Sequence, residues 1–520
     1  MPPVNYAVCE TCRHHVPARH EIREGKVYLC KDCPDCGTSE SLITQHAAVW
    51  QRKRDLFRYD PDAEPTCDLH CTTCGRQAEH HPRMVFVDVT NRCNMNCPIC
   101  IANIPAMGFV YHPPIEYIGR VFDGLARMTP KPSVHLFGGE PTMREDLFEI
   151  IRLGQSKGLN MGLETNGLRL ADEEFCKRLC ETKARVLMGF DGLAPEIYTR
   201  LRKAPNAGAK KLQALENLKK YSQRPQTIMC CVARKVNDKH MRDLIDFCHD
   251  NRSFLRNLHL IPLTESWKEG EFKAEAHTSI EDVEQIIQEA FPDEQVAFLP
   301  MGFSRHINRA LRFFGGVQMT FAEVHPNCES VTILWSDGAR FRPLSSYMKK
   351  PLYDFCEEFV ARLDALGPRL SRLDERKALG RLRGRLLVFR KFLGLVRKSF
   401  RWDMILKGSP ALALLRVLGG AMMGKSLKTQ LIKHCKVTSA LDMIVLPFEE
   451  YHSIDGARLA LCKGGFAYED PDDGVVKTIP ICVWSQFRDG IERKIAAKYG
   501  DAQAKRPMAE AAPVAAEASR

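Results

Sequence analysis

Several kinds of segment are missing from this sequence, and each absence removes a class of function. No long apolar run is free of charge: the most apolar stretch, SPALALLRVLGGAMMGKSL, contains Arg416. A mid-membrane arginine costs about 2.5–3.5 kcal/mol on insertion scales, so no membrane span is expected. No apolar leader opens the chain, which begins MPPVNYAVCETCRHHVPARH, so a reducing cytoplasm is the expected compartment. Neither a GxxxxGK[ST] phosphate loop nor a Ser-His-Asp arrangement appears, which leaves nucleotide-triphosphatase and hydrolase readings without support. Aromatic residues make up only 8% of the chain, and its basic segment lacks the interleaved aromatics of nucleic-acid modules, so nucleic acid is not an expected partner. There is no internal repeat beyond a doubled CxxxCxxC.

Cysteine, by contrast, is abundant, with 21 in 520 residues. In a reducing compartment, cysteines at two- and three-residue spacings are ligands of metals or clusters before they are disulfide partners. Residues 1–80 read as a cysteine-rich, strand-poor metal module. There, Cys9 and Cys12, with Cys30 and Cys33, form two CxxC pairs suited to one tetrahedral zinc or mononuclear iron, and Cys36 follows closely. The module ends in CDLHCTTC, where Cys67, Cys71 and Cys74 are expected to hold an auxiliary cluster.

From 81 to about 300, short apolar runs alternate with amphipathic helical stretches. Strands are expected at 84–89, 133–138, 160–165, 185–190, 227–233 and 258–263, which implies parallel βαβ units and a partial (β/α)6 TIM-like barrel in an α/β fold. Functional groups then belong at the C-terminal ends of the strands. The second CxxxCxxC, Cys93, Cys97 and Cys100 in VTNRCNMNCPIC, stands at the end of the first strand. Three thiolates ligate three irons of a [4Fe-4S] cube and leave the fourth iron open. Successive strand ends carry Gly138, Gly139 and Glu140 in HLFGGEPT, Glu164 and Asn166 in LETNG, and Asp191 in GFDG. Paired glycines let backbone approach a ligand closely, and a carboxylate there suits an ammonium group.

With these motifs the segment from Met84 to Glu265 resembles the radical S-adenosylmethionine (SAM) superfamily. The resemblance implies that Cys93, Cys97 and Cys100 hold a [4Fe-4S] cluster whose open iron binds SAM, and that the bound SAM is cleaved to a 5'-deoxyadenosyl radical. It further implies Gly138, Gly139 and Glu140 on the methionine amino group, and Glu164, Asn166 and Asp191 near the ribose and carboxylate. Such enzymes draw electrons from a flavodoxin or ferredoxin. Ile99 stands where the family commonly has an aromatic residue on the adenine. The wider layout is similar to radical SAM proteins related to tetraether lipid synthase and to pterin-methylating homologues. That similarity implies a C-terminal auxiliary-cluster region, 301–360 and 437–500, in which Cys328, Cys462 and Cys482 contribute to a further [4Fe-4S] cluster.

Between these parts, residues 361–436 form a basic helical segment with 19 Lys and Arg against 4 Asp and Glu. Leu386, Phe389, Leu393, Val396 and Phe400 fall at helical spacing and are expected to form its apolar stripe. A basic amphipathic helix suits an anionic lipid surface, with peripheral attachment to a membrane. Residues 501–520, rich in Ala and Pro, are expected to be a disordered tail. Three functions follow: a radical SAM enzyme abstracting hydrogen from an unactivated carbon of a lipid, a radical SAM methylase or modifying enzyme acting on a peptide or pterin, and a non-enzymatic iron-sulfur or nucleic-acid-binding protein.

Overall fold

A computed structural model describes residues 4–72, 81–265, 272–314, 319, 321–423, 430 and 433–500. Cys74 and the 501–520 tail lie outside the described residues.

Contrary to the strand-poor expectation, the first module is built on a four-stranded antiparallel sheet. Its strands are β1 (Asn5–Val8), β2 (His15–Arg23), β3 (Lys26–Cys33) and β4 (Gly37–Thr44), in sequence order. Arg23 pairs with Lys26, leaving Glu24 and Gly25 as a two-residue hairpin loop, both with positive φ (51° and 75°). Positive φ at both positions is what right-handed strand twist demands of so short a loop. The helix Ala47–Phe57 then ties the module to the body. Its Lys53, fully buried, donates to Glu281 (2.9 Å) and approaches Glu284 (2.6 Å), both on the helix Ile280–Glu289.

The second sheet begins with the six expected parallel strands. They are β5 (Met84–Thr90), β6 (Ser133–Gly138), β7 (Asn160–Thr165), β8 (Arg185–Gly189), β9 (Gln226–Val232) and β10 (Leu255–Pro262). Amphipathic helices cover them outside; Ile115–Arg127, for example, buries Tyr117, Ile118, Val121, Phe122 and Leu125 at steps of one helical turn. With side chains of β5 and β9 buried on both faces, those strands read as near-continuous apolar runs, which is why they were legible.

The later segments do not form a separate region. After β11 (Leu299–Pro300), β12 (Ser330–Ser336) and β13 (Phe341–Pro343) come β14 (Ser439–Val445), β15 (Gly464–Glu469) and β16 (Val476–Pro480). β14 lies parallel to β10 and carries β12 on its far side, while β15 lies parallel to β5 and carries β16. Both edges of the partial barrel are thus extended by C-terminal strands, and the boundary drawn at 300 from sequence crosses a continuous sheet.

The basic helix is present at Ala378–Ser399, but it buries a different face. Gly384, Val388, Phe392, Leu395 and Ser399 point inward, while Leu386 is 40% exposed. Gly384 decides this: a Cβ there would lie 2.3 Å from the Phe313 ring, so only glycine lets the helix settle on that side. Phe359 and Phe392 then pack with ring centroids 4.6 Å apart. Among the described residues no helix is long and apolar enough to cross a membrane.

Removing Lys53 would strand two carboxylates shielded from water, whereas neighbouring Arg52 pairs with the exposed Asp354 and Glu357 and lies over the Tyr353 ring. Lys53→Met is therefore expected to lower unfolding stability by about 3–5 kcal/mol, from the cost of breaking a buried pair. Arg52→Ala should cost about 1 kcal/mol or less, as exposed pairs do. Denaturant melts of the two variants against the parent check this ordering.

Candidate active site and metal centres

Glycine at the end of β6 positions the cysteine loop. Gly139 N donates to Thr90 O (2.7 Å) and Glu140 N to Arg92 O (2.8 Å), so the two backbones run in contact where β5 turns into the loop. A Cβ on Gly138 would meet Thr90 O at 2.1 Å, and one on Gly139 would meet Arg92 O at 2.4 Å. Gly138 also has φ +135°, a conformation that side-chain-bearing residues rarely adopt. Asn91 closes the loop from within, its side chain donating to Phe109 O (2.7 Å) and accepting from Tyr111 N (2.8 Å). Arg144, buried, donates to Val89 O (2.8 Å) and Pro113 O (2.9 Å). Both were missed in the sequence, where neither belongs to a recognisable motif.

Cys93, Cys97 and Cys100 line a chamber of about 200 Å³ together with Gly138, Gly139, Glu140, Glu164 and Asn166. Burial, and then Glu140 beside it, push the Cys93 thiol up to about 12; burial also raises Cys97, against the opposing pull of Arg202. Thiolates here therefore need a bound cation, and three cysteines on one wall of an open chamber fit the donor set of a [4Fe-4S] cluster.

The polar residues divide into those that face the chamber and those that brace it. Glu140 accepts from Thr142 N (3.1 Å), Thr142 Oγ1 (2.7 Å), Thr165 Oγ1 (2.8 Å) and Asn166 N (2.7 Å), joining the ends of β6 and β7. Asn166 reaches Asn94 in the cysteine loop (2.7 Å). Glu164 is buried against His135 Nδ1 (2.9 Å), and burial raises its pKa although His135 works the other way.

Asp191 departs from expectation. It is fully buried, both its oxygens accept from Arg202 (2.9 Å each), and Cys231 N donates to it as well (3.1 Å). Burial alone would raise its pKa, but Arg202 outweighs this and holds it low. The positive charge that lines the chamber is Arg202, with Lys211 beside it, and Asp191 orients Arg202 from behind. Lys211, drawn down to about 8 by burial, donates to Asn166 O (2.6 Å) and Gly189 O (2.5 Å). Neither cation was found from sequence, because each sits on a helix several residues beyond a strand end.

In the first module the structure corrects one ligand. Cys9, Cys12, Cys33 and Cys36 have their sulfurs within 4.8 Å of one another, and Cys12 and Cys33 are 3.6 Å apart. Tetrahedral zinc, with Zn–S near 2.3 Å, places sulfurs about 3.8 Å apart, so the set fits a zinc ion. Cys30 is excluded because it and Cys33 both lie on extended β3, where positions three apart face opposite ways. The working second pair is Cys33 and Cys36, whose CPDCG carries the turn residues that a metal-binding knuckle needs.

Burial raises the thiols of Cys328, Cys462 and Cys482, and Cys328 and Cys482 are raised further by neighbouring thiols of this set. Cys67 is fixed by its N–H to Gly456 O (3.1 Å), and Cys71 is buried.

Residues 87–248 match the family model of the Radical SAM superfamily, and residues 5–45 match that of the HMPTM N-terminal zinc ribbon domain. The chain is 26% identical over 390 residues to 7,8-dihydro-6-hydroxymethylpterin dimethyltransferase of Methanocaldococcus jannaschii, covering 72% of this chain and 76% of that protein. It is 32% identical over 143 residues to AdoMet-dependent heme synthase of Methanosarcina barkeri, covering 27% of this chain and 40% of that one, less than two thirds of its length. Among solved structures, a radical SAM methyltransferase from Sphaerobacter thermophilus is similar at TM-score 0.33 and 15% identity, covering 52% of this chain and 73% of that chain.

The ligand assignment in the ribbon has a direct check. Cys36→Ser is expected to lose most of the bound zinc and Cys30→Ser to retain it, as read by elemental analysis of the purified protein.

Proposed function

We propose that this radical SAM enzyme, with its N-terminal zinc ribbon, modifies a pterin-type heterocycle by radical-initiated methylation. The observation that carries this reading is the reach of its similarity to the pterin dimethyltransferase. At 72% of this chain it extends well beyond residues 87–248, whereas the similarity to the heme synthase spans 27%.

When bound, the cluster held by Cys93, Cys97 and Cys100 supplies the electron that cleaves SAM. The protein's own task is to place the reactants. Gly138, Gly139 and Glu140 offer backbone and carboxylate to the methionine amino group, Glu164 and Asn166 stand toward the ribose, and Arg202 and Lys211 present positive charge toward the carboxylate. Ile99, Phe137, Leu263 and Phe448 give the remaining wall an apolar surface that excludes water from a reactive carbon. Cys328, Cys462 and Cys482, with Cys67, Cys71 and Cys74, serve auxiliary clusters, and a flavodoxin- or ferredoxin-type protein supplies electrons in a reducing cytoplasm.

One observation favours a second reading, action on lipid at a membrane surface. Leu379, Leu382 and Leu386 are 59%, 51% and 40% exposed along one face of the helix Ala378–Ser399, and exposed Arg383, Arg390 and Arg397 run beside them. Such a ridge suits anionic headgroups.

A single experiment separates the two. The anaerobically reconstituted protein, given reductant and SAM, is expected to form 5'-deoxyadenosine and S-adenosylhomocysteine faster with a dihydropterin. A rise only with anionic lipid vesicles would favour the second reading. No deoxyadenosine from cluster-replete protein under any condition would refute both.

A further inference from the structure

Three cavities meet at one pair of residues. Thr264 and Phe448, joined by Thr264 Oγ1 to Phe448 O (3.0 Å), line the chamber of the cysteine loop, a pocket of about 30 Å³ beside Cys482, and a pocket of about 50 Å³ beside Glu450. The last also shares Pro262 and Leu263 with the chamber, so a molecule bound against the cysteine loop has this pocket as its neighbour.

Glu450 differs from the other buried acids that leave an oxygen without a hydrogen bond, Asp88, Glu284 and Glu492, each of which pairs with buried Arg488 or Lys53. It is 5% exposed, lines the pocket, and its Oε2 has no hydrogen-bond partner. The adjacent Glu449 shows what satisfaction looks like: Arg458 grips both its oxygens, and Ser453 donates to one (2.6 Å). Among the described residues the cation that acts on Glu450, Lys31, has its Nζ occupied by Glu10 (3.1 Å), Ser41 (2.9 Å) and Tyr451 O (3.3 Å). Burial, and then the Glu265 carboxylate, lift the Glu450 carboxyl to about 8, although the backbone N–H of Glu265 donates to it and works the other way. A buried carboxyl oxygen without a donor is costly, and in a native protein it calls for a partner.

Its setting is rigid. The loop Pro447–Ser453 is clamped by the zinc ribbon, through Lys31 on Tyr451 O, Arg13 over the Tyr451 ring (3.3 Å to the centroid) and Glu10 against His452 (3.4 Å).

We infer that Glu450 is the substrate-recognising carboxyl, taking an N–H of a cyclic guanidine-type edge, such as the 2-amino group on the aminopyrimidinone ring of a pterin, on its unpartnered Oε2. This rests on the pterin reading above, and adds to it the residue that sets specificity. One N–H donor on Oε2 joins the backbone N–H of Glu265 on this carboxyl and completes its hydrogen bonding. A pocket of this size accepts the edge of a ring and leaves the far side of the heterocycle in the chamber.

The test compares 6-hydroxymethyl-7,8-dihydropterin with its analogue bearing a carbonyl in place of the 2-amino group, by kcat/KM for 5'-deoxyadenosine formation. The parent enzyme is expected to prefer the amino compound by about 10-fold or more, as sites built on a buried hydrogen bond do. In Glu450→Gln the preference should shrink to within about threefold, with KM for the pterin rising about 10-fold and zinc and iron contents retained. A folded, metal-replete Glu450→Gln enzyme with the parent's preference would overturn the inference and leave the pterin reading standing. A parent enzyme that turns over both compounds equally would overturn it without any variant. A parent enzyme stimulated by neither would remove the pterin reading, and this inference with it.

Discussion

Arg458 is held between Glu449 and Asp455 in the interior, and most of the functional architecture hangs on that contact. Its guanidinium grips both oxygens of Glu449 and donates through Nε to Asp455 (2.8 Å). Asp455 also caps the short helix Gly456–Ala460 by accepting from Arg458 N (3.0 Å), pairs through its backbone with Ala7 of β1, and lies 3.7 Å from His20 of β2. Gly456 receives Cys67 N, at an approach so tight that a Cβ would lie 1.9 Å from Cys67 O. One buried ion cluster therefore joins the zinc ribbon, the first CxxxCxxC and the loop beside the chamber. Burying these charges is expensive, and bidentate geometry together with full hydrogen bonding is what offsets the cost.

The chamber obeys a similar rule on a smaller scale. Its cysteine loop is held by backbone contacts at Gly138 and Gly139, and its cations are braced by acids or carbonyls: Asp191 behind Arg202, which also reaches Cys97, and Asn166 O with Gly189 O behind Lys211. Rigid support behind an open face lets a site present charge without reorganising when a ligand arrives.

Much of this was legible in the sequence because it depends on local pattern. The six parallel strands announced themselves as apolar runs at regular intervals, and the cysteine loop and its glycines followed at their ends. What failed to show were properties of geometry. CKDC and CPDC look alike as spacing, yet the first lies in extended β3 and the second turns, so Cys36 and not Cys30 completes the zinc set. Asp191 sits at a strand end as expected, but the residue it orients, Arg202, is contributed by the next helix. On the basic helix two faces carried apolar residues, and a single glycine, Gly384, chose between them. Non-local pairing was the least visible: nothing in a short stretch such as LDMIV says that it lies beside β10.

That pairing bears on how the chain comes into being. β14 and β15 cover the two edges of the parallel sheet, and they arrive almost two hundred residues after β10 has been made. During synthesis the core strands stand with both flanks open, and exposed strand edges are templates for pairing with other chains. Ala7, near the start, waits longer still for Asp455. The first module and the barrel are thus committed to their final arrangement only when the last segments emerge from the ribosome, so a truncated product would be prone to aggregate.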